Sequence, residues 1–284
     1  MTKIKLGKVT FTLKEPQDFS WVLTLGEPFA VFDQNDSGNV SFGVEKNGER
    51  LFVKYAGALT ENAAWSPQNA IDALRRTGEL YEDLRHPGLI DYLGNLETEH
   101  GYAMIFRWVE GECLHPHWTF DERPKHTHPD SPYVKFRALP LEKKQAAAEI
   151  LFDFMAFAQS KGYVAVDLYD SSLMYDFDTD TFKICDIDLF EKGPLLNETG
   201  DWLGSARFKA PEEFEAGGIV DFTSNVYTVG KILLMMFAGE EHPDREHWEE
   251  TEARWQVLQK ALSPAKADRY ADVAEFWQAW EAAQ

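Results

Sequence analysis

The feature that most constrains this chain is a change of hydrophobic period partway along it. Up to about Trp108 the apolar residues fall in short runs with strand-like alternation, and beyond Leu141 they recur at helical spacing. Strands gathered first and helices gathered afterwards predict an α+β fold.

The first part is read most firmly at Asn47-Gly48. Both residues tolerate positive φ, and Val40 to Val44 and Arg50 to Tyr55 flank them, so the segment predicts two adjacent antiparallel strands. Ser66-Pro67 supplies a helix cap and a first-turn proline, followed by Ile71, Leu74, Tyr81 and Leu84 at helical spacing, with Gly78 as a weak point. A further strand pair is expected around Leu89 to Leu93 and Tyr102 to Trp108. In the second part a helix is predicted from Leu141 to Lys161 and closed at Gly162, where a left-handed residue commonly ends a helix. Two short strands separated by Asp176 to Asp180 come next, then an irregular segment up to Pro211. Helices over Ser224 to Phe237 and Trp255 to Leu262, and an aromatic-rich one with Val273, Phe276, Trp277 and Trp280, complete the chain.

Composition narrows the function classes. With 284 residues, 44% of them hydrophobic, the chain can bury one sizeable core or two packed lobes. A formal net charge of −20, with no basic block to offset it, disfavours nucleic acid and anionic membranes as partners. A nucleotide triphosphate would also be repelled, so a nucleotide site needs local positive charge and a divalent metal. No uncharged apolar run approaches the roughly 18 residues of a membrane span, and the opening residues lack the apolar stretch of a signal peptide. A soluble cytoplasmic protein is expected. Cys113 and Cys185 sit far apart in apolar segments and are expected as buried thiols.

Several short motifs stand in a telling order. LFVK ends at Lys54; LRHPGLI follows the first helix; FRWVEGECL spans Phe106 to Leu114; VAVDLYDSSLMY contains Asp167; KICDIDLF contains Asp186; GSARFKAPEE ends near Glu212; TSNVYTVGKIL follows; ADRY contains Arg269. Each alone is weak, but together the ordered series resembles the eukaryotic-type serine/threonine protein kinase domain over nearly the whole chain. The resemblance implies a two-lobed fold: a lobe of small antiparallel β-sheet with one main helix over residues 1–108, and a mainly helical lobe over 109–284. It also implies that Lys54 holds the α/β phosphates of ATP and that the backbone at Arg107 and Val109 receives adenine. Asp167 would orient the attacking hydroxyl and Asp186 would bind Mg²⁺. Glu212 would pair with Arg269, and Ser205 stands at the P+1 threonine position.

The pattern also departs from the family. The Gly-rich loop aligns with DQNDSGNV, so Gly38 and Val40 persist while Asp33 and Asn35 replace glycines, and Asp33 and Asp36 bring negative charge where phosphates would lie. The helix glutamate expected to pair with Lys54 aligns with Thr77, and Glu79 lies about 200° around the helix. In the catalytic loop Ala165 and Val166 replace His and Arg, which removes the usual acceptor for a phosphorylated activation loop. Ser172 replaces the metal-binding Asn, with Asp170 nearby as a further candidate ligand. Asp188 replaces the glycine of D-F-G, and in an extended segment it would share a face with Asp186. Asn225 replaces the buried helix aspartate that organises the catalytic loop, where an amide can still accept a hydrogen bond. His115, His117, His126 and His128 lie in a segment read as a surface insertion, with a metal site as the alternative.

Three functions follow from the resemblance. The first is an atypical protein kinase using ATP and Mg²⁺ on a protein hydroxyl. The second is a pseudokinase serving as a nucleotide-binding or scaffold protein. The third, suggested by D-x-D, is a small-molecule phosphotransferase. No protein partner or substrate is identified by these residues.

Overall fold

The computed structural model describes residues 1–34, 37–116, 123–241 and 243–283. Helix and small antiparallel sheets are mixed, and the chain divides into two compact units, Met1–Val109 and Glu110–Gln284. Among the described residues no helix is long and apolar enough to cross a membrane.

The first unit opens with a hairpin, β1 (Thr2–Leu6) and β2 (Val9–Leu13), then one helical turn, α1 (Val22–Leu25). Next come β3 (Glu27–Phe32), β4 (Val40–Lys46), β5 (Glu49–Ala56), helix α2 (Pro67–Asp83), β6 (Tyr92–Thr98) and β7 (Gly101–Arg107). Five of the strands form one antiparallel sheet in the order β3-β4-β5-β7-β6. Asn47 and Gly48 turn β4 into β5 with φ of 56° and 84°, a conformation that Asn tolerates and Gly adopts without strain.

Burial on both faces of this sheet explains its composition. Phe42, Val44, Val53 and Tyr55 point to one face and join Leu6, Phe11, Leu13 and Phe19 of the hairpin in a single apolar cluster. Phe11 meets Phe19 and Phe42 edge-on at 5.1 and 5.4 Å, a favoured aromatic geometry. The opposite face receives α2, which begins as expected at Ser66, whose side chain accepts the Asn69 N–H. Buried Leu74 and Tyr81 line that helix, and Tyr81 packs edge-on against Phe106 at 4.9 Å.

One expectation for this unit is corrected, and one set of strands was not anticipated. The strand placed at Leu89 to Leu93 begins at Tyr92 instead, because Leu89 closes a turn through its N–H to the His86 carbonyl and Arg85 reaches the Tyr92 carbonyl at 2.8 Å. The strands β1 to β3 were not read from the sequence, although the alternation of Ile4, Leu6, Val9, Phe11 and Leu13 carries a strand period.

The second unit contains β8 (Glu112–Cys113), α3 (Pro132–Arg137), α4 (Leu141–Ser160) and β9 (Tyr163–Val164). After these come β10 (Leu173–Asp176), β11 (Thr181–Ile184), β12 (Glu191–Lys192), β13 (Leu195–Leu196) and β14 (Ile219–Val220). Helices α5 (Phe222–Phe237), α6 (Glu252–Ala261) and α7 (Val273–Ala282) end the chain. Helix α4 stops before Gly162, which takes φ 88°, and α7 packs on it with the Phe152 and Trp277 rings stacked. Of the two free cysteines, Cys185 is buried but Cys113 is half-buried on the short strand β8, a partial correction.

Candidate functional site

The loop between β9 and β10 carries Asp167, and its backbone is anchored from below. Asn225 on α5 is buried; its side-chain oxygen accepts the Ala165 N–H at 2.8 Å and its amide donates to the Tyr163 carbonyl at 3.1 Å. An aspartate could make only the first of these bonds, so the amide ties two points of the loop. Ala165 and Val166, standing where the kinase family has His and Arg, are both buried.

Asp167 adopts φ 59°, the left-handed region, and is half-buried. Its Oδ1 accepts the Ser205 N–H at 3.2 Å. Gly204 makes this approach possible: with φ 111°, a Cβ there would stand 3.1 Å from both Cα and Oδ1 of Asp167. Asp167, Ser205, Lys209, Glu213 and Thr228 line one small polar recess. The neighbouring Tyr169 hydroxyl is pushed up to about 12, by burial first and then by the charges of Asp167, Asp186 and Asp170 around it.

Asp186 follows β11 and is exposed with φ 50°; the preceding Cys185 N–H donates to the Ser172 carbonyl at 2.8 Å, which sets the two segments side by side. Ser172 is fully buried and its hydroxyl has no hydrogen-bond partner among the described residues. The orphaned hydroxyl and the Asp186 carboxylate are both of the oxygen type that a hard divalent cation takes. Among the described residues no group of three or more His, Cys, Asp or Glu is gathered as a metal site. The extended geometry expected for Asp186 to Asp188 is corrected: the chain is left-handed at Asp186 and turns through the Phe190 N–H to the Ile187 carbonyl, leaving Asp188 half-buried.

Asp170, read as a further metal candidate, has a different occupation. It is fully buried, and its oxygens accept from Arg207 at 2.7 and 3.0 Å, from Lys125 in a short contact, and face His115 Nδ1 at 3.3 Å. Burial alone would raise this carboxyl, but those hydrogen bonds and the Lys125 charge hold it well below the ordinary carboxylate range. A carboxylate so bound is a poor candidate ligand. His126 bonds Glu240 at 2.9 Å, whereas His117 lies outside the described residues.

Glu212 and Arg269 meet although 57 residues apart, through two parallel bonds of 2.8 and 3.0 Å, and both are buried. Ser224 also donates to Glu212, and Arg269 lies 4.8 Å from the Tyr227 ring centre. Burial pushes the Glu212 carboxyl up, yet the bonds from Arg269 and Ser224 outweigh it and hold the group below its usual value. The so-called irregular segment is in fact organised by buried Asn197, which bonds Glu213 and Gly200 through its side chain.

Next to Glu212, Glu213 behaves oppositely. Buried, and bonded to the Ala210 N–H at 2.9 Å, it is pushed from 4.5 up to about 7, chiefly by desolvation. A raised folded-state value means that the folded chain holds the proton longer than the unfolded chain. Stability should therefore fall as pH rises between about 4.5 and 7. The corresponding loss is roughly 3 kcal/mol. Glu213→Gln, which keeps the acceptor for Ala210, is expected to stabilise the chain more at pH 8 than at pH 5 in paired urea titrations. An equal effect at both values would refute this assignment.

In the first unit Lys54 lies on β5 between Ser41 and Met104 and is half-buried on the face opposite Val53 and Tyr55. Thr77, on the buried side of α2, donates its hydroxyl to the Ala73 carbonyl at 3.1 Å, while Glu79 is exposed. Gly38 takes φ 79° just before Val40, which is buried at the start of β4. Asp33 was expected to face phosphates; its carboxylate instead accepts the Thr12 N–H at 3.0 Å. Asn35 and Asp36 lie outside the described residues. The Arg107 N–H already donates to the Asp91 carbonyl at 2.9 Å, and Val109 ends this unit half-buried.

No family model matches the chain. Curated relatives do: serine/threonine-protein kinase RUNKEL of Arabidopsis thaliana is 24% identical over 193 residues, 65% of this chain and 13% of that protein. Serine/threonine-protein kinase BCK1/SLK1/SSP31 of Saccharomyces cerevisiae is 24% identical over 253 residues, 83% of this chain and 15% of that protein. Mitogen-activated protein kinase kinase kinase 1a of Physcomitrium patens is 21% identical over 199 residues, 70% of this chain and 24% of that protein. The chain thus spans between 13% and 24% of the length of these relatives. Their shared character supports a divergent protein kinase-like domain.

Proposed function

We propose that this chain is an atypical serine/threonine protein kinase domain that transfers the γ-phosphate of Mg-ATP to a protein hydroxyl. The observation that carries this reading is the loop segment itself. Asp167 is held in a left-handed turn with one oxygen bonded to Ser205, and a buried, unpartnered Ser172 hydroxyl lies beside the segment that leads to Asp186. The names of the relatives favour a protein substrate over a small molecule.

In this reading Lys54, the turn at Gly38 and Val40, and the backbone at Arg107 and Val109 hold the nucleotide. Asp186 and Ser172 hold Mg²⁺. When bound, the ion would neutralise charge on the phosphate oxygens. Asp167 orients the incoming hydroxyl and accepts its proton, while the Ser205 N–H fixes the direction of that carboxylate.

Thr77 favours a second reading, a pseudokinase, because it puts a hydroxyl bonded to its own helix where the family has a carboxylate. Calorimetry with ATP, with and without Mg²⁺, followed by a phosphate-transfer assay, separates the two. Mg²⁺-dependent binding with transfer to protein is expected. Absence of binding at millimolar nucleotide would overturn the kinase reading, binding without transfer would favour the pseudokinase, and transfer only to a sugar or amino-alcohol would overturn the protein substrate.

A further inference from the structure

The segment read from sequence as a surface insertion sends Lys125 into the catalytic-loop region, where His115 also faces Asp170 and His126 bonds Glu240. Lys125, 13% exposed, stands among Asp170, Glu240 and the Tyr133 ring, whose centre is 4.8 Å from its ammonium. Its ammonium donates to both oxygens of Glu240, at 2.8 and 2.9 Å, and to Asp170. Arg207 closes the figure from the other side, bonding Asp170 at 2.7 and 3.0 Å and Glu240 at 2.5 Å. The four charges alternate in sign around a ring, so each carboxylate has two cations and each cation two carboxylates. The Tyr133 hydroxyl accepts the Glu240 N–H at 2.8 Å and fixes that corner.

The ring joins four places in the chain: the segment before α3, the catalytic loop, the residues before Pro211, and the end of α5. Asp170 opens the 3-10 turn Asp170–Ser172, only three residues after Asp167. A fully buried carboxylate must keep its partners, because a lone buried charge is far costlier than a paired one. The direction of the turn is therefore coupled to where Lys125 and Arg207 stand. Arg207 in turn lies two residues beyond Ser205, whose N–H reaches Asp167.

We propose that Lys125 is a positioning residue: through Asp170 and Glu240 it clips the catalytic loop and the segment around Ser205 into one arrangement, with no phosphate group needed to do so. The clip is a property of the second unit alone, and its bearing on phosphate transfer rests on the function proposed above. It explains how the chain can dispense with the arginine replaced at Val166, since cations at Lys125 and Arg207 supply the cross-link from a different direction.

Hydrogen exchange on the full chain, without nucleotide, tests this independently of any activity. Lys125→Met is expected to raise exchange at least about tenfold in peptides covering 163–176 and 198–209, with residues 1–109 unchanged. Lys125→Arg, which keeps the charge, should restore most of the protection. If Lys125→Met does not yield folded protein, Arg207→Gln at the more exposed corner should give the same local pattern. Unchanged exchange in both peptides would overturn the proposal, as would a uniform rise across the second unit, or a failure of Lys125→Arg to restore protection. Where the wild type transfers phosphate, Lys125→Met should lower kcat with the KM for ATP unchanged; a change confined to KM would overturn the positioning role. A wild type that transfers nothing, yet shows the local exchange pattern, would uphold the clip and refute only the kinase reading.

Discussion

Asp167→Asn is expected to lower phosphate transfer by about 10²–10⁴-fold with little change in melting temperature or Mg-nucleotide binding. The substitution is close to a single-atom change. The asparagine oxygen can still accept the Ser205 N–H that Asp167 Oδ1 accepts at 3.2 Å. Asparagine also tolerates the φ of 59° found at this position, where most side chains would be strained. Fold and cradle are thus preserved, and what disappears is the basic oxygen that orients the hydroxyl and takes its proton. Transfer at the wild-type rate would remove Asp167 from the chemistry, and a large drop in melting temperature would mean that its charge is structural.

The second large effect concerns Arg269. Arg269→Met should cost about 3–5 kcal/mol of stability, read by urea unfolding, because it strands the Glu212 carboxylate in a buried position. The arginine makes two bonds to Glu212 and others to the carbonyls of Ser263, Pro264 and Thr223, so the change opens several acceptors at once. The double substitution Arg269→Met with Glu212→Gln should recover part of the loss, since it removes the stranded charge. In the wild type the pH sign follows from the lowered Glu212 value. The contribution is present above its ordinary 4.5 and is lost as pH falls through the lower folded value. A single-variant loss below about 1 kcal/mol would place the pair among weak, solvent-screened bridges and refute its structural weight.

Legibility differed by kind of element. Helix boundaries with local signals were readable: Ser66 caps the start of α2 by accepting the Asn69 N–H, and Gly162 follows the end of α4 in the left-handed region. Helix α5 begins two residues earlier than its apolar pattern suggested, since Asp221 caps it through the Thr223 N–H and exchanges bonds with Ser224. The strand β6 was placed too early because Leu89 and Ile90 are apolar for turn packing and not for a ladder. At the candidate site, the partnership of Glu212 with Arg269 and the use of Asn225 as an acceptor were both anticipated from motif order, and the side chains are found so paired. Glu213 was missed, although a second acid directly after Pro211-Glu212 is a visible signal.

What the sequence determined by itself was the change from strands to helices along the chain and the turns at Asn47-Gly48 and Gly162. These depend on periodicity and on the backbone preferences of a few residues, which act over short distances in the chain. Only the tertiary structure decided how Asp170 and Asp33 are partnered. Asp170 takes Lys125 and Arg207, 45 and 37 residues away, in place of a metal, and Asp33 takes a backbone N–H in place of facing a phosphate. No local pattern encodes such choices, because a charge selects its partner by burial and distance after the chain has folded, and many acids and bases of identical chemistry compete for it.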